Sequence, residues 1–167
     1  MSVKNLRDLF SYITTNYLSA AKENYSGHEL AKVIRDNSKE IITPILSDPE
    51  LTIKGSAGMG AWTGSPWIGI FDKTETDGAQ EGVYVVYLFS DDMQRFYLTF
   101  NQGVTRSIED YGRKLAFQKL KNKAVEIRAN NAPPTGFKAD DNIKLSGDAP
   151  GADYEKSTIF YKEYSSN

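Results

Sequence analysis

The sequence contains no cysteine and a single histidine, His28. Without cysteine, the chain can form neither a disulfide nor a zinc site built from thiolates. Hydrolytic triads rely on a base whose pKa lies near neutrality, which is most often a histidine. His28 falls at the start of a predicted helix, far from any serine in a nucleophile-elbow context. We therefore predict a non-enzymatic domain with no catalytic residues, no bound metal and no cofactor.

Long apolar segments and an excess of positive charge are also missing. No run of ~20 apolar residues that could cross a bilayer occurs, and the N-terminus lacks the apolar segment of a signal peptide. We therefore expect a cytoplasmic protein without membrane contact. The formal net charge is -2 and the isoelectric point is about 5.5. These values disfavour a protein that binds nucleic acid through bulk electrostatics alone.

Two motifs that could serve catalysis or nucleotide binding are incomplete. The acid pairs at 91–92 and 140–141 fall in predicted turns, where aspartate is favoured for local hydrogen bonding. The glycine-rich loop, residues 55–64, precedes a proline and a strand rather than a helix whose N-terminus could hold a phosphate. No Gly-Lys-Ser/Thr sequence follows it. We therefore expect no nucleotide-driven motor in this chain.

The chain does contain enough apolar residues for one folded domain. Its 167 residues are 40% hydrophobic and 25% charged, which is ordinary for a soluble globular protein. Apolar residues spaced three and four apart predict helices near the N-terminus. Alternating or continuous apolar segments predict strands in the middle of the chain. The predicted helices cover residues 5–22, 28–36 and 38–46, and the predicted strands cover residues 51–54, 66–71, 83–89 and 95–100.

The second half of the chain is predicted to hold one long helix, from about residue 105 to residue 129. Its apolar residues do not form one stripe, so either both sides are covered or the helix breaks near Gly112. A stop signal at 130–136 precedes two short strand candidates, at 142–145 and 157–161. The predicted fold is a single α+β domain over residues 1–167. It has a largely antiparallel central sheet, with N-terminal helices and one long helix packed around it.

The glycine-rich loop is flanked by large apolar side chains. Glycines let a backbone turn sharply and approach a ligand closely. Met59, Trp62 and Trp67 lie in and beside the loop, and each tryptophan is interpreted either as a core plug or as part of a pocket. Tyr84 and Leu88 are four residues apart on a predicted strand, so their side chains share a face. Together with Trp67 across the sheet, they predict an apolar slot that suits a flat ring.

Positive charge is concentrated in residues 105–130, which hold seven lysines and arginines against three acids. The seven are Arg106, Arg113, Lys114, Lys119, Lys121, Lys123 and Arg128. The segment is interpreted either as a solvated helix face or as a surface that holds phosphates.

Three segments occur in a characteristic order and spacing within residues 50–105. They are the glycine-rich turn with its Pro-Trp strand (54–70), a Gly-x-Tyr strand (82–89) and the segment 97–103. In this combination the chain resembles the N-terminal DNA-binding domain of the McrB restriction family. The flanking helices agree with that family in general layout.

In that family the domain is not catalytic, and it is fused to a GTP-driven motor or to nuclease domains. It recognises methylated cytosine in double-stranded DNA, after the base has rotated into a protein pocket. The resemblance implies that the base pocket consists of Met59, Trp67, Tyr84 and Leu88. It implies a supporting loop that includes Ser56, Gly58, Gly60 and Trp62. The implied phosphate contacts are Lys54, Lys73, Lys119, Lys121 and Lys123.

We therefore expect the DNA-binding module of a modification-dependent restriction system that acts in phage defence. Its partners would be duplex DNA with a modified base and a motor or nuclease domain or subunit. The chain would form the N-terminal part of a longer protein. Known binders can carry an aromatic residue where this chain has Met59, and a methionine can also contact a ring. The alternatives are a reader of another modified base, of RNA or of a nucleotide, and a protein-interaction domain whose aromatic residues are all core.

Overall fold

The fold is built on a five-stranded antiparallel sheet whose strands lie in chain order. The computed structural model describes residues 3–145 and 149–166. The strands are β1 (Leu51–Ser56), β2 (Trp67–Asp72), β3 (Val83–Phe89), β4 (Arg95–Gln102) and β5 (Thr158–Ser165). The strands predicted between residues 51 and 100 are all present, and β3 has the predicted bounds. The prediction of an α+β fold with an antiparallel sheet is confirmed.

The helices that precede the sheet form one layer. They are α1 (Leu6–Ala20), α2 (Glu29–Lys32) and α3 (Ser38–Leu46), and a π-helical turn, Val33–Asn37, joins α2 to α3. The two helices predicted at 28–36 and 38–46 are therefore one continuous helical segment. Gly55 of β1 packs so closely on this segment that a Cβ would lie 1.8 Å from the carbonyl oxygen of Ile34. A side chain at this position would push the sheet away from the helical layer.

The predicted long helix is broken at Gly112, which has a φ of 73°. α4 (Thr105–Tyr111) ends there and α5 (Arg113–Asn130) begins, so the second of the two interpretations is correct. The sequence pattern does not predict α6 (Ala149–Ser157), which leads directly into β5. The strand predicted at 142–145 is wrong, because this segment is irregular and instead packs its apolar side chains onto the sheet.

Side chains alternate along the strands and give the sheet two different faces. One face carries Ile53, Ile68 and Phe89, and we call it the helix face because α1–α3 pack on it. α5 packs on the same face through Ala124, beside Phe160. The N-terminal helices and α5 therefore cover the same side of the sheet.

The opposite face, which we call the pocket face, carries Trp67, Tyr84 and Leu88. Trp67 lies directly across from Leu88 in the pairing of β2 with β3. The residues that pack on this face include the irregular segment 143–145 and Tyr154 of α6. Trp67 stays half-buried beside this cover.

Candidate functional site

A cavity of about 690 Å³ opens on the pocket face, between the glycine-rich loop and the loop at residues 76–81. The structure brings several of the predicted site residues to this cavity. Those that line it are Lys54, Ser56, Gly58, Met59, Trp62 and Trp67. The loop and the start of β2 therefore form one concave surface.

Trp67 is the first residue of β2 and lines the cavity half-buried. Its ring stands edge-on to the ring of Phe71, with the centroids 6.4 Å apart. Gly69 lies between them on the strand, where a Cβ would be 2.5 Å from the Phe71 ring and 3.4 Å from the Trp67 ring. The missing side chain at Gly69 lets Phe71 fold against Trp67. Phe71 thus supports one side of the indole.

Tyr84 and Leu88 share the pocket face with Trp67, but they are buried beneath it. Tyr84 is 3% exposed and Leu88 is 0% exposed. The Tyr84 hydroxyl donates a hydrogen bond of 3.3 Å to the carbonyl oxygen of Ala79. Burial raises the pKa of Tyr84 far above its ordinary value, so the hydroxyl keeps its proton. Tyr84 therefore ties the 76–81 loop to the sheet from below.

Two tyrosines of the helical layer fix the glycine-rich loop at its base. The Tyr17 hydroxyl donates to the carbonyl oxygens of Ala57 and Thr63, at 3.1 and 2.7 Å. The Tyr25 hydroxyl donates to the carbonyl oxygen of Gly58 at 2.6 Å. Burial raises the pKa of Tyr17, because its phenolate would lose hydration. The loop is therefore positioned by the helical layer before any ligand arrives.

Trp62 belongs to the same anchor. Its indole N–H donates to the carbonyl oxygen of Glu23 at 3.0 Å. Its ring stands edge-on to the rings of Tyr17, Tyr25 and His28, with centroids 5.4, 5.2 and 4.9 Å apart. These contacts agree with the interpretation of Trp62 as a plug, which closes the gap between the loop and the helical layer.

The single histidine serves the helical layer as well. His28 Nδ1 accepts a hydrogen bond of 3.1 Å from the backbone N–H of Leu30 and so caps α2.

Within the described residues, no three histidine, cysteine, aspartate or glutamate side chains are grouped as a metal ion would need. None of the helices in that part of the chain is long and apolar enough to cross a membrane.

Met59 stands at the tip of the glycine-rich loop, and its side chain is 97% exposed. Gly58 and Gly60 on either side have φ values of 127° and 72°, which turn the chain outward and back. A Cβ at Gly58 would lie 1.9 Å from the carbonyl oxygen of Ala61, whereas one at Gly60 would meet nothing within 4 Å. The loop is therefore tight at its base and open at its tip.

The five lysines predicted to contact phosphates are spread over the molecule. Lys54 lines the cavity, and its ammonium group donates to the carbonyl oxygen of Asp77. Lys73 lies at the far end of β2 and donates to a backbone carbonyl oxygen of the turn before β1. The other three are exposed on α5, and they are Lys119, Lys121 and Lys123. Lys119 and Lys123 border a smaller cavity that shares Glu81 with the larger one.

The cavity also includes residues that no sequence pattern singled out. Pro150 and Tyr154 come from α6, and Asp77 and Gln80 come from the 76–81 loop. Burial raises the pKa of Tyr154 to about 12, so this residue offers a hydroxyl proton near neutrality. Residues 149–157 have mixed composition and no apolar period, which explains why the pattern gave no signal there.

A comparison with known protein families matches residues 12–167 to the model described as MrcB-like, N-terminal domain. No curated protein matches the chain at a significant level. The family match extends the resemblance from residues 50–105 to α5, α6 and β5. The domain that defines this family is a McrB-type DNA-binding module and is not catalytic. Because the match covers nearly all of its length, the chain belongs to the MrcB-like N-terminal domain family.

Proposed function

We propose that this domain captures a modified cytosine of double-stranded DNA, rotated out of the base stack, in the cavity beside Trp67. The observation that carries the proposal is the half-buried indole, which packs against Phe71 on one side and lines an open cavity of about 690 Å³. Stacking of a base on an aromatic side chain is worth about 1–3 kcal/mol. That gain is comparable with the few kcal/mol that extrusion of a base costs.

Each predicted pocket residue has a role in this proposal. The base stacks on Trp67, and Met59 meets it from the tip of the loop, where a flexible thioether can contact a ring. Tyr84 and Leu88 are buried beneath Trp67 and support it, and the Tyr84 hydroxyl holds the 76–81 loop in place. The glycine-rich loop is shaped and anchored by its own residues. The Ser56 hydroxyl accepts a hydrogen bond from the backbone N–H of Gly58. Gly58 and Gly60 form its turns, and Trp62 anchors it to the helical layer.

The test is a titration of duplexes that share one sequence and differ at one cytosine. A buried methyl group contributes about 0.8 kcal/mol, which corresponds to roughly a fourfold change in affinity. We therefore expect the 5-methylcytosine duplex to bind at least about four times more tightly than the unmodified duplex. Single strands and RNA of the same sequence serve as controls. Equal binding of all these molecules, or binding of none, would contradict the proposal.

The lysines of α5 are proposed to hold phosphates that flank the extruded base. Lys119 and Lys123 lie at the side of the molecule where the two cavities meet at Glu81. Lys54 and Lys73 would hold the backbone nearer β1 and β2. With a net charge of -2, such contacts set the position of the DNA, while the pocket supplies the selectivity.

Neutralising Lys119 and Lys123 together, as Lys119→Gln and Lys123→Gln, should weaken binding of marked and unmarked duplexes equally. Each lost phosphate contact lowers the slope of log affinity against log salt by about 0.9. Fluorescence titrations at two or more salt concentrations measure both effects. Lys39→Gln, on α3 of the helical layer, is the matched control. An unchanged salt slope would contradict phosphate contacts by these two lysines.

The same proposal places the domain in a modification-dependent restriction system that acts on phage DNA in the cytoplasm. A GTP-driven motor or a nuclease, in the same protein or in a partner subunit, would supply the chemistry that this domain lacks.

A further inference from the structure

The cavity beside Trp67 is much larger than a cytosine requires. A water molecule occupies ~30 Å³ in the liquid, and a covalently bonded heavy atom takes up less space than a whole water molecule, so the eight heavy atoms of cytosine fill less than about 240 Å³. The cavity measures about 690 Å³. More than half of it therefore remains free when a cytosine stacks on Trp67.

The wall around the remaining space includes the 76–81 loop, whose backbone is held in place. The Lys54 ammonium donates to the carbonyl oxygen of Asp77, and the Tyr84 hydroxyl donates to that of Ala79. The backbone N–H of Arg106 donates to the carbonyl oxygen of Gln80 at 3.0 Å. These bonds tie the loop to β1, β3 and α4. The loop is therefore a fixed wall.

The side chains of this wall, in contrast, have free hydrogen-bonding groups. Asp77 and Gln80 are exposed and line the cavity, and their side chains hydrogen-bond to none of the residues that the structure describes. The Asp77 carboxylate is an acceptor only, and the Gln80 amide accepts through one atom and donates through the other. A ligand that fills the space can therefore hydrogen-bond to both side chains through hydroxyl groups.

Tyr154 of α6 is half-buried and lines the same cavity. A ring that is apolar on its faces and rich in hydroxyl groups at its edge can pack on Tyr154 and hydrogen-bond to Asp77 and Gln80 together. A sugar has this character. A methyl group can satisfy none of these polar side chains.

We propose that the cavity takes a cytosine with a large hydroxylated substituent, such as a hexose linked through a 5-hydroxymethyl group. Asp77 and Gln80 bind the hydroxyls of the sugar. Such a base has about 21 heavy atoms, which fill less than about 630 Å³ by the same comparison, so the cavity of about 690 Å³ has room for it. The inference rests on the proposed capture of an extruded base.

Four duplexes of one sequence test the inference, with cytosine, 5-methylcytosine, 5-hydroxymethylcytosine or glucosyl-5-hydroxymethylcytosine at one position. We expect the glucosylated duplex to bind at least about tenfold more tightly than the hydroxymethyl duplex, as one or two good hydrogen bonds to a charged group allow. Asp77→Ala and Gln80→Ala should each remove most of that gain, so that the affinities for the glucosylated and the hydroxymethyl duplexes become nearly equal. Glu50→Ala removes a carboxylate just before β1, away from the cavity, and controls for net charge.

The outcomes separate this inference from the proposed function. Weaker binding of the glucosylated duplex, with the 5-methyl duplex still preferred over cytosine, overturns the inference alone. A preference for the glucosylated duplex that survives both substitutions overturns the roles of Asp77 and Gln80. If no marked duplex exceeds cytosine, both the inference and the proposed function are wrong.

Discussion

Replacement of Trp67 by alanine is expected to abolish the preference for the marked duplex while the domain stays folded. The indole is half-buried at the first residue of β2, where it lines the cavity. Loss of base stacking costs about 1–3 kcal/mol, which corresponds to roughly a 5- to 150-fold loss of affinity. Titration with marked and unmarked duplexes measures the loss, and far-UV circular dichroism checks that the fold is retained.

Trp62→Ala is the matched control, because it removes the same side chain from the same loop region. Trp62 packs against three rings and donates to a backbone carbonyl oxygen, so its loss should lower the melting temperature. Trp67→Ala should lower it less. If the two variants were equally unstable, Trp67 would be a core plug and the proposed stacking role would be wrong.

Gly58→Ala is expected to destabilise the domain and to remove its preference for marked DNA. A Cβ at this position would lie 1.9 Å from the carbonyl oxygen of Ala61, at a φ of 127° that favours glycine. Because the obstacle is backbone, the loop must shift, and strain and repacking together should cost about 3 kcal/mol or more. Denaturant unfolding measures the change in the free energy of unfolding, and titration measures the loss of preference.

Gly60→Ala separates the clash from the backbone conformation. Gly60 has a φ of 72°, but a Cβ there would meet nothing within 4 Å. The substitution should therefore cost only about 1–2 kcal/mol, which is the ordinary penalty for a left-handed residue. Binding of the marked duplex should stay within about twofold of the unsubstituted domain. If Gly58→Ala and Gly60→Ala lowered the free energy of unfolding equally, the predicted clash between a Cβ at position 58 and the carbonyl oxygen of Ala61 would be wrong.

The sheet was largely predictable because its pairings are local in sequence. β1–β4 alternate with turns rich in glycine and aspartate, and each strand pairs with the next one along the chain. The break at Gly112 was visible as one of two alternatives, since the apolar stripes on its two sides do not align. α6 and the irregular path of 143–145 depend on tertiary contacts with the sheet. A local sequence pattern does not predict such contacts.

The candidate site was predictable in part for the same reason. Alternation along a strand correctly places Trp67, Tyr84 and Leu88 on one face. It does not show that the segment 143–145 and Tyr154, which lie far along the chain, bury two of the three. A count of charges likewise finds the basic segment but does not show on which side of the sheet α5 packs.

The order of the strands has a consequence for how the domain assembles. β1–β4 are joined by short connections, whereas β5 pairs with β4 only after the chain has passed through α4, α5 and α6. Closing a longer loop costs more conformational entropy, so local pairings form first. The glycine-rich loop and Trp67 would then be in place before β5 docks. The wall that α6 contributes would then form last in folding.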